Sequence, residues 1–152
     1  MIEIALFQPD IAPNAATIIR MAACLGLKVT IIEPAGFAWT DSSFRRAGMD
    51  YLDRAAVRRS PSWQAFCAET RDRRLVLLST KAEMPYSRFA FAGDDIILMG
   101  QESSGVPEEV HEAVDARILI PMKTGERSLN VSLACAMVTG EALRQTAGFT
   151  GA

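Results

Sequence analysis

Short apolar runs, separated by polar turns and by segments with helical spacing, make up most of this sequence. In the first run Ile4 and Leu6 alternate with Glu3, Ala5 and Phe7, which predicts a strand over residues 2–7. The same criteria predict strands over residues 29–32, 75–78, 96–99 and 118–120, and a weak one near 55–57. Five or six strands alternating with helices predict an α/β fold with a mostly parallel sheet flanked by helices.

Capping residues, prolines and apolar spacing predict the helices between these strands. Asn14 is expected to cap the first helix, and Gly26 to follow its last residue. Ser60, directly before Pro61, is expected to cap another. Residues 79–92 show little periodicity and predict a long loop. The predicted helices cover residues 14–25, 43–48 (beginning at Asp41 or Ser42), 60–69, 107–113 and 128–146.

The last predicted helix, with Ser128 as its expected cap, is apolar nearly all round. No charged residue occurs between Val131 and Gly140. Such a helix is buried on more than one side. One side is expected to pack on the sheet, and the other on a second subunit in a homodimer. The alternative is a monomer in which this helix is central.

The composition indicates the class of protein, but it does not indicate an activity. The length of 152 residues predicts one domain over residues 1–152. No apolar run reaches membrane-spanning length, and the N-terminus lacks the basic region of a signal peptide, so a cytoplasmic protein without a membrane partner is expected. The net charge of −2 predicts that any RNA contact uses a local basic patch.

The three cysteines carry no sign of metal binding. Cys24, Cys67 and Cys135 lack metal-ligand spacing, and their odd number argues against a disulfide framework. We expect buried, reduced thiols and no metal centre.

Three late loops follow three apolar strands and form the main candidate site. They are residues 78–80, residues 99–105, and residues 120–122 together with Ser128. Ligands of open α/β sheets lie beyond the carboxyl ends of the strands. Backbone groups there can bind an adenine edge, while Leu78, Ile120 and Met122 can contact its faces, and Gly100 permits close approach. Ordinary turns are an equally good interpretation of these residues taken alone.

The first βα turn, residues 8–13, contains no glycine and is a poor phosphate cradle. A nucleotide-like ligand is therefore expected in the C-terminal half of the chain.

Several charged or polar side chains are further candidates. Arg20, with Asn14 on the same helix, can bind a phosphate or position a hydroxyl; a solvated helix face is the alternative. Glu102 can act as an acid or base, or hydrogen-bond to loop amides. His111 is interpreted as a surface histidine, because it lies in a short charged helix beside Glu108, Glu109 and Glu112. A Ser-His-Asp arrangement is not supported, since no nucleophile partner for His111 is identifiable.

One stretch mixes arginines with aromatic residues and suits contact with single-stranded RNA, because cations meet phosphates and rings stack on bases. A charged surface without a ligand is the alternative. The stretch comprises Arg45, Arg46, Arg54, Arg58 and Arg59, with Trp39, Phe44 and Tyr51.

Three segments in order resemble the motifs of the SPOUT class of RNA methyltransferases. They are Pro13-Asn14 with Arg20, residues 100–107 (Gly-Gln-Glu-Ser-Ser-Gly-Val-Pro), and Ile120-Pro121-Met122 followed by residues 128–132. The likeness covers nearly the whole chain. Residues 31–39 and 45–51 are most similar to the branch that methylates the ribose 2′-hydroxyl of a cytidine or uridine at the tRNA wobble position, position 34 of the anticodon.

The resemblance implies a C-terminal trefoil knot, a homodimer packed through the first and last helices, and binding of a tRNA anticodon stem-loop. It implies S-adenosylmethionine as cofactor, with S-adenosylhomocysteine as product. Arg20 matches the catalytic arginine, and Asn14, Arg45, Arg46 and Glu102 are the implied substrate contacts. The implied cofactor contacts are Leu78, Gly100, Ile120, Met122, Ser128, Leu129 and Asn130.

Three positions depart from the pattern of that branch. Gln101 stands in place of proline, Ser104 in place of arginine, and Gly140 in place of tyrosine. A looser loop around residues 100–105 is therefore expected. The rival interpretations are a SPOUT methyltransferase with another RNA target, a non-catalytic RNA-binding module of the same fold, and a generic nucleotide-binding α/β protein.

Overall fold

A computed structural model describes residues 1–38, 42, 45–46, 51 and 55–151. Within these residues one sheet of seven strands has the order β3-β2-β1-β6-β4-β7-β5, and every pairing in it is parallel. The predicted parallel α/β architecture is confirmed. The strands are β1 Glu3–Phe7, β2 Lys28–Ile32, β3 Ala56–Ser60, β4 Leu75–Leu78, β5 Met84–Pro85, β6 Ile96–Met99 and β7 Ala116–Leu119.

Four α-helices flank the sheet in the described part of the chain, together with a 3₁₀ turn, Tyr86–Arg88. They are α1 Ala12–Leu25, α2 Trp63–Glu69, α3 Glu108–Ala113 and α4 Val131–Thr146. Helices α1 and α4 pack together and share one apolar core with one face of the sheet. Helices α2 and α3 share a second core with the other face.

The alternation in β1 distributes side chains between these two cores. Ile4 and Leu6 lie in the α1–α4 core, whereas Ala5 and Phe7 lie in the α2–α3 core. Because both faces of the sheet are covered, every residue of β1 is buried, Glu3 included. Glu3 is stabilised by hydrogen bonds from Thr30 and Arg73.

Strand order brings the three candidate loops together. β4 lies between β6 and β7, with Leu78 paired to both Met99 and Ile118. These strands are parallel, so the loops that follow them leave the sheet at the same edge.

The predicted helix caps are wrong in three places. Asn14 lies within the first turn of α1, whose N-cap is Ile11. Ser60 ends β3, and Ser62 caps α2 by accepting a hydrogen bond from the Ala65 amide. Asn130, not Ser128, caps α4 by accepting bonds from two amides. For α2 and α4 the observed cap is another polar residue two positions further along the chain, whereas Ile11 of α1 makes no side-chain cap hydrogen bond. The predicted end of α1 at Gly26 is confirmed, with φ of 69°.

Other local predictions also need correction. The predicted loop over residues 79–92 contains β5 and the 3₁₀ turn. The expectation of buried thiols holds for Cys135, whose burial raises the pKa of its thiol to about 12. Cys67 is half-buried and Cys24 is exposed.

Within this single chain α4 is buried on one side only. Its outward side exposes Leu133 by 62% and Met137 by 42%, and Leu129 just before the helix is also exposed. The monomer with a central α4 therefore disagrees with the structure, while the homodimer stays a prediction.

The predicted basic helix falls partly outside the described residues. Ser42, Arg45, Arg46 and Tyr51 are helical. Asp41 and most of residues 43–48 lie outside the described residues, as do Trp39, Phe44 and Arg54.

The C-terminal knot stays a prediction. None of the described helices is both long and apolar enough to span a membrane.

Candidate active site

A cavity of about 620 Å³ opens where β4, β6 and β7 end. Its volume lies in the range of small-molecule and cofactor sites. The loops after these strands, the start of α1 and the start of α4 form its wall. Every residue that the resemblance assigned to the cofactor lines it, namely Leu78, Gly100, Ile120, Met122, Ser128, Leu129 and Asn130. Asn14 and Glu102 line it as well.

The loop over residues 100–105 closes on itself through its backbone. The Gln101 amide donates to the Gly105 carbonyl at 2.8 Å, and the Gly105 amide donates to the Gln101 carbonyl at 2.9 Å. A Cβ at Gly100 would lie 2.8 Å from the Gly105 carbonyl carbon and 2.9 Å from its Cα. Gly105 itself has φ of 65°. Glycine at both positions is therefore a requirement of this backbone.

The two residues of this loop that depart from the family pattern hold it in place. Gln101 Nε2 donates to the Gln8 carbonyl at 2.9 Å, and Ser104 Oγ donates to Gln101 Oε1 at 2.6 Å. Gln101 thus supplies side-chain contacts that proline could not make, and the looser loop stays a prediction.

Reciprocal hydrogen bonds join the same loop to the β1–α1 turn. The Asp10 amide donates to Glu102 Oε2, and the Glu102 amide donates to Asp10 Oδ1, each at 3.2 Å. Ser103 Oγ also donates to Asp10. Of the two roles considered for Glu102, hydrogen bonding to a backbone amide is observed, although the amide belongs to a different turn.

The two carboxyl groups have opposite pKa shifts. Burial is the main cause of the raised pKa of Glu102, and the hydrogen bond with Asp10 adds to it. That same hydrogen bond is the main cause of the lowered pKa of Asp10. Of these two carboxyl groups, Glu102 therefore keeps its proton to higher pH than Asp10.

An amide pair connects the two helices at the cavity wall. Asn130 Nδ2 donates to Asn14 Oδ1 at 3.1 Å, while Asn130 Oδ1 accepts from the Ser132 amide at 2.9 Å. Asn130 therefore caps α4 and fixes the side chain of Asn14 at the same time.

Arg20 lies apart from the cavity wall that the described residues form. It is exposed on α1, with its guanidinium carbon 4.9 Å from the centre of the Tyr51 ring, a cation–π distance. Arg20 is six positions after Asn14 on this helix, which corresponds to about 9 Å along the helix axis. Arg45 and Arg46 are exposed and are likewise absent from that wall.

The predicted basic-aromatic stretch is only partly available to a ligand. Arg58 forms an ion pair with Glu69 at 3.0 Å, and Arg59 forms one with Glu33. Their positive charge is therefore offset within the chain.

Sequence reasoning missed several residues of the cavity wall. His111, interpreted as a surface residue, is half-buried and lines the cavity, as do Lys81 and Arg127. Arg117 donates to the His111 carbonyl at 2.6 Å, which ties α3 to β7. The sequence did contain a signal for this residue, because His111 lies one turn into a helix that follows a candidate loop.

The described residues contain no group of three or more potential metal ligands.

Comparison with known proteins agrees with this geometry. Residues 1–140 match the model of the SpoU rRNA Methylase family. The chain belongs to this family. The resemblance stated from the sequence motifs is thereby confirmed.

Close relatives cover the chain from end to end. It is 57% identical over 150 residues to a tRNA (cytidine(34)-2′-O)-methyltransferase of Ancylobacter novellus, covering 97% of this chain and 95% of that one. It is 60% identical over 145 residues to the protein of the same description from Beijerinckia indica, covering 93% and 90%. A solved structure concerned with the 2-OH methylation of C/U34 on tRNA superimposes with a TM-score of 0.91 and 36% identity, covering 95% of each chain.

Proposed function

We propose that this chain is an S-adenosylmethionine-dependent methyltransferase that modifies the ribose 2′-hydroxyl of the wobble cytidine or uridine in tRNA. The observation that carries the proposal is the convergence of all seven implied cofactor residues on one cavity, in a chain whose relatives at 57% and 60% identity are described as acting on cytidine 34 of tRNA.

The cavity wall suits S-adenosylmethionine. Leu78, Ile120 and Met122 provide apolar surface for an adenine ring, and the loop backbones beside them provide amides and carbonyls for its edge. Arg127 is a cation available to a carboxylate. When bound there, the cofactor supplies a methyl group that is already activated, so that positioning provides much of the rate.

The residues of this chain then have distinct roles. Asn14, held by Asn130, presents amide groups at the rim of the cavity. Arg20 orients the ribose or its phosphate and stabilises charge that develops on the 2′-oxygen. A guanidinium stays protonated in proteins, so a role as general base is unsuitable for it. Its place outside the cavity wall fits a contact with RNA better than one with the cofactor.

The same proposal includes the RNA contacts, the oligomeric state, the knot and the location of the protein. Arg45, Arg46 and Glu102 contact the tRNA anticodon stem-loop. The exposed stripe on α4, formed by Leu133 and Met137, packs against a second copy in a homodimer through α1 and α4. The chain forms one knotted domain that acts in the cytoplasm, where its tRNA substrate is found.

The experiment is methyl transfer from labelled S-adenosylmethionine to total tRNA, with the modified nucleoside identified by mass spectrometry. We expect a 2′-O-methylated nucleotide at position 34. Transfer to another RNA would favour a SPOUT enzyme with a different target. Cofactor binding without any transfer would favour a non-catalytic RNA-binding module.

Substitution of Arg20 tests its proposed role in the same assay. Arg20→Ala is expected to abolish transfer while cofactor affinity, measured by calorimetry, stays near normal. Arg71→Ala is the matched control, because Arg71 is an exposed arginine at the amino end of the sheet. Loss of cofactor binding in Arg20→Ala would contradict the assignment.

A further inference from the structure

Some of the described cations form ion pairs within the chain, and three that lie near one another do not. Arg58, Arg59, Arg73 and Arg74 each pair with a carboxylate close to the sheet. Lys81, Arg88 and Arg117 belong to no ion pair within the described part of the chain. In a protein of net charge −2, a group of unpaired cations in one place is a local positive site.

These three cations line a second cavity, of about 770 Å³. Lys81 follows β4, Arg88 ends the 3₁₀ turn, and Arg117 lies in β7. His111 is also in its wall, and Glu83 is the one carboxylate among the residues that line it. The cavity therefore has an excess of positive charge, which we call the basic cleft.

The side chains in the basic cleft are free to bind a ligand. Arg117 Nε donates to the His111 carbonyl at 2.6 Å, which orients the guanidinium and leaves its Nη atoms without a partner among the described residues. Arg88 is exposed, and its side chain makes no hydrogen bond within that part of the chain. Arginine and lysine in this state are the usual contacts of phosphate oxygens.

The basic cleft adjoins the candidate active site. Lys81 and His111 line both cavities, so the two share a wall. A polymer whose reactive ribose reaches the first cavity would carry its neighbouring backbone phosphates past the second.

We infer that the basic cleft, through Lys81, Arg88 and Arg117, binds backbone phosphates of the RNA that flank the target nucleotide. The inference rests on the proposed function for the identity of the polymer. It adds an RNA-binding surface at the carboxyl edge of the sheet, distinct from Arg45 and Arg46.

The test is tRNA affinity as a function of salt for Arg88→Glu. Arg88 lines the basic cleft but not the cofactor cavity, and its exposure predicts an unchanged melting temperature. Charge reversal is expected to weaken binding about tenfold at moderate salt. Loss of one phosphate contact should reduce the slope of log affinity against log salt by about 0.7 to 0.9. The KM for tRNA should rise, with kcat and cofactor affinity unchanged.

Arg71→Glu is the matched control, since it makes the same charge change at the opposite edge of the sheet. Equal affinities and salt slopes for the two variants would overturn the inference. If the wild-type protein binds tRNA in an Arg88-dependent way but transfers no methyl group, the basic cleft stands and the proposed function fails. If the wild-type protein binds no tRNA, the inference fails as well.

Discussion

Gly100→Ala tests directly whether the loop over residues 100–105 has the close backbone packing described above. The added Cβ would lie 2.8 Å from the Gly105 carbonyl carbon, 2.9 Å from its Cα and 3.0 Å from its oxygen. Ordinary carbon–carbon contacts begin at about 3.5 Å, so the new atom is about 0.7 Å too close. Backbone atoms of a closed loop cannot rotate away as a flexible side chain would.

The loop must therefore open, and two consequences follow. The Gln101–Gly105 pair of hydrogen bonds, at 2.8 Å and 2.9 Å, lengthens or breaks. Overpacking of this kind costs about 1–3 kcal/mol in the free energy of unfolding. For a chain of this size that corresponds to a melting temperature lower by about 2–12 °C. Because Gly100 also lines the cofactor cavity, affinity for S-adenosylmethionine should fall in parallel.

The assay is urea denaturation of the variant and the wild type, with calorimetric titration of the cofactor. Gly93→Ala is the control, because a Cβ there meets no atom within 4 Å and its φ is not in the left-handed region. We expect a shifted midpoint with an unchanged m-value for Gly100→Ala and no shift for Gly93→Ala. Equal stability and equal cofactor affinity in the two variants would refute the reasoning.

Three further predictions follow from other contacts. Arg74→Ala should lower the free energy of unfolding by about 1–3 kcal/mol, because it removes two 2.8 Å bonds to the fully buried Asp95 while the Ala92 amide still donates to that carboxylate; an unchanged denaturation midpoint would contradict this. A carboxyl group with a raised pKa loses its stabilising contribution as the pH rises through that pKa. The stability advantage of wild type over Glu102→Gln should therefore shrink as the pH rises above 4.5, and a pH-independent difference in urea midpoints would contradict a raised pKa of Glu102. Leu133→Asp should convert a homodimer to monomers in sedimentation, and an unchanged mass would exclude this face as the interface.

The loops that line the cavity follow strands whose ends have local signals in the sequence, whereas the assignment of these loops to a cofactor came from the family resemblance. A short apolar run that ends at a polar residue, a glycine or a proline marks the end of a buried strand, and this pattern identified residues 78–80, 99–105 and 120–122. The alternation of Ile4 and Leu6 with Ala5 and Phe7 likewise anticipated two faces of a sheet.

Helix caps were predicted less well, for a physical reason. At the starts of α2 and α4 two polar residues close together in sequence could each serve as the cap, and serine and asparagine have nearly equal capping preferences. Asn130 is the cap of α4 rather than Ser128, and it also bonds to Asn14, which is distant in sequence. Such a tertiary contact outweighs the small local preference.

The sequence by itself determined that strands, turns and helices alternate, where the buried strands end, and which loops carry the glycines of the site. Only the tertiary structure decided that β4 lies between β6 and β7, so that three loops separated along the chain meet at one cavity. It also paired Asp10 with Glu102 and placed Arg88 beside Arg117 in the basic cleft. Local periodicity records whether a residue is buried, whereas strand order and side-chain pairing depend on long-range packing that no local pattern contains.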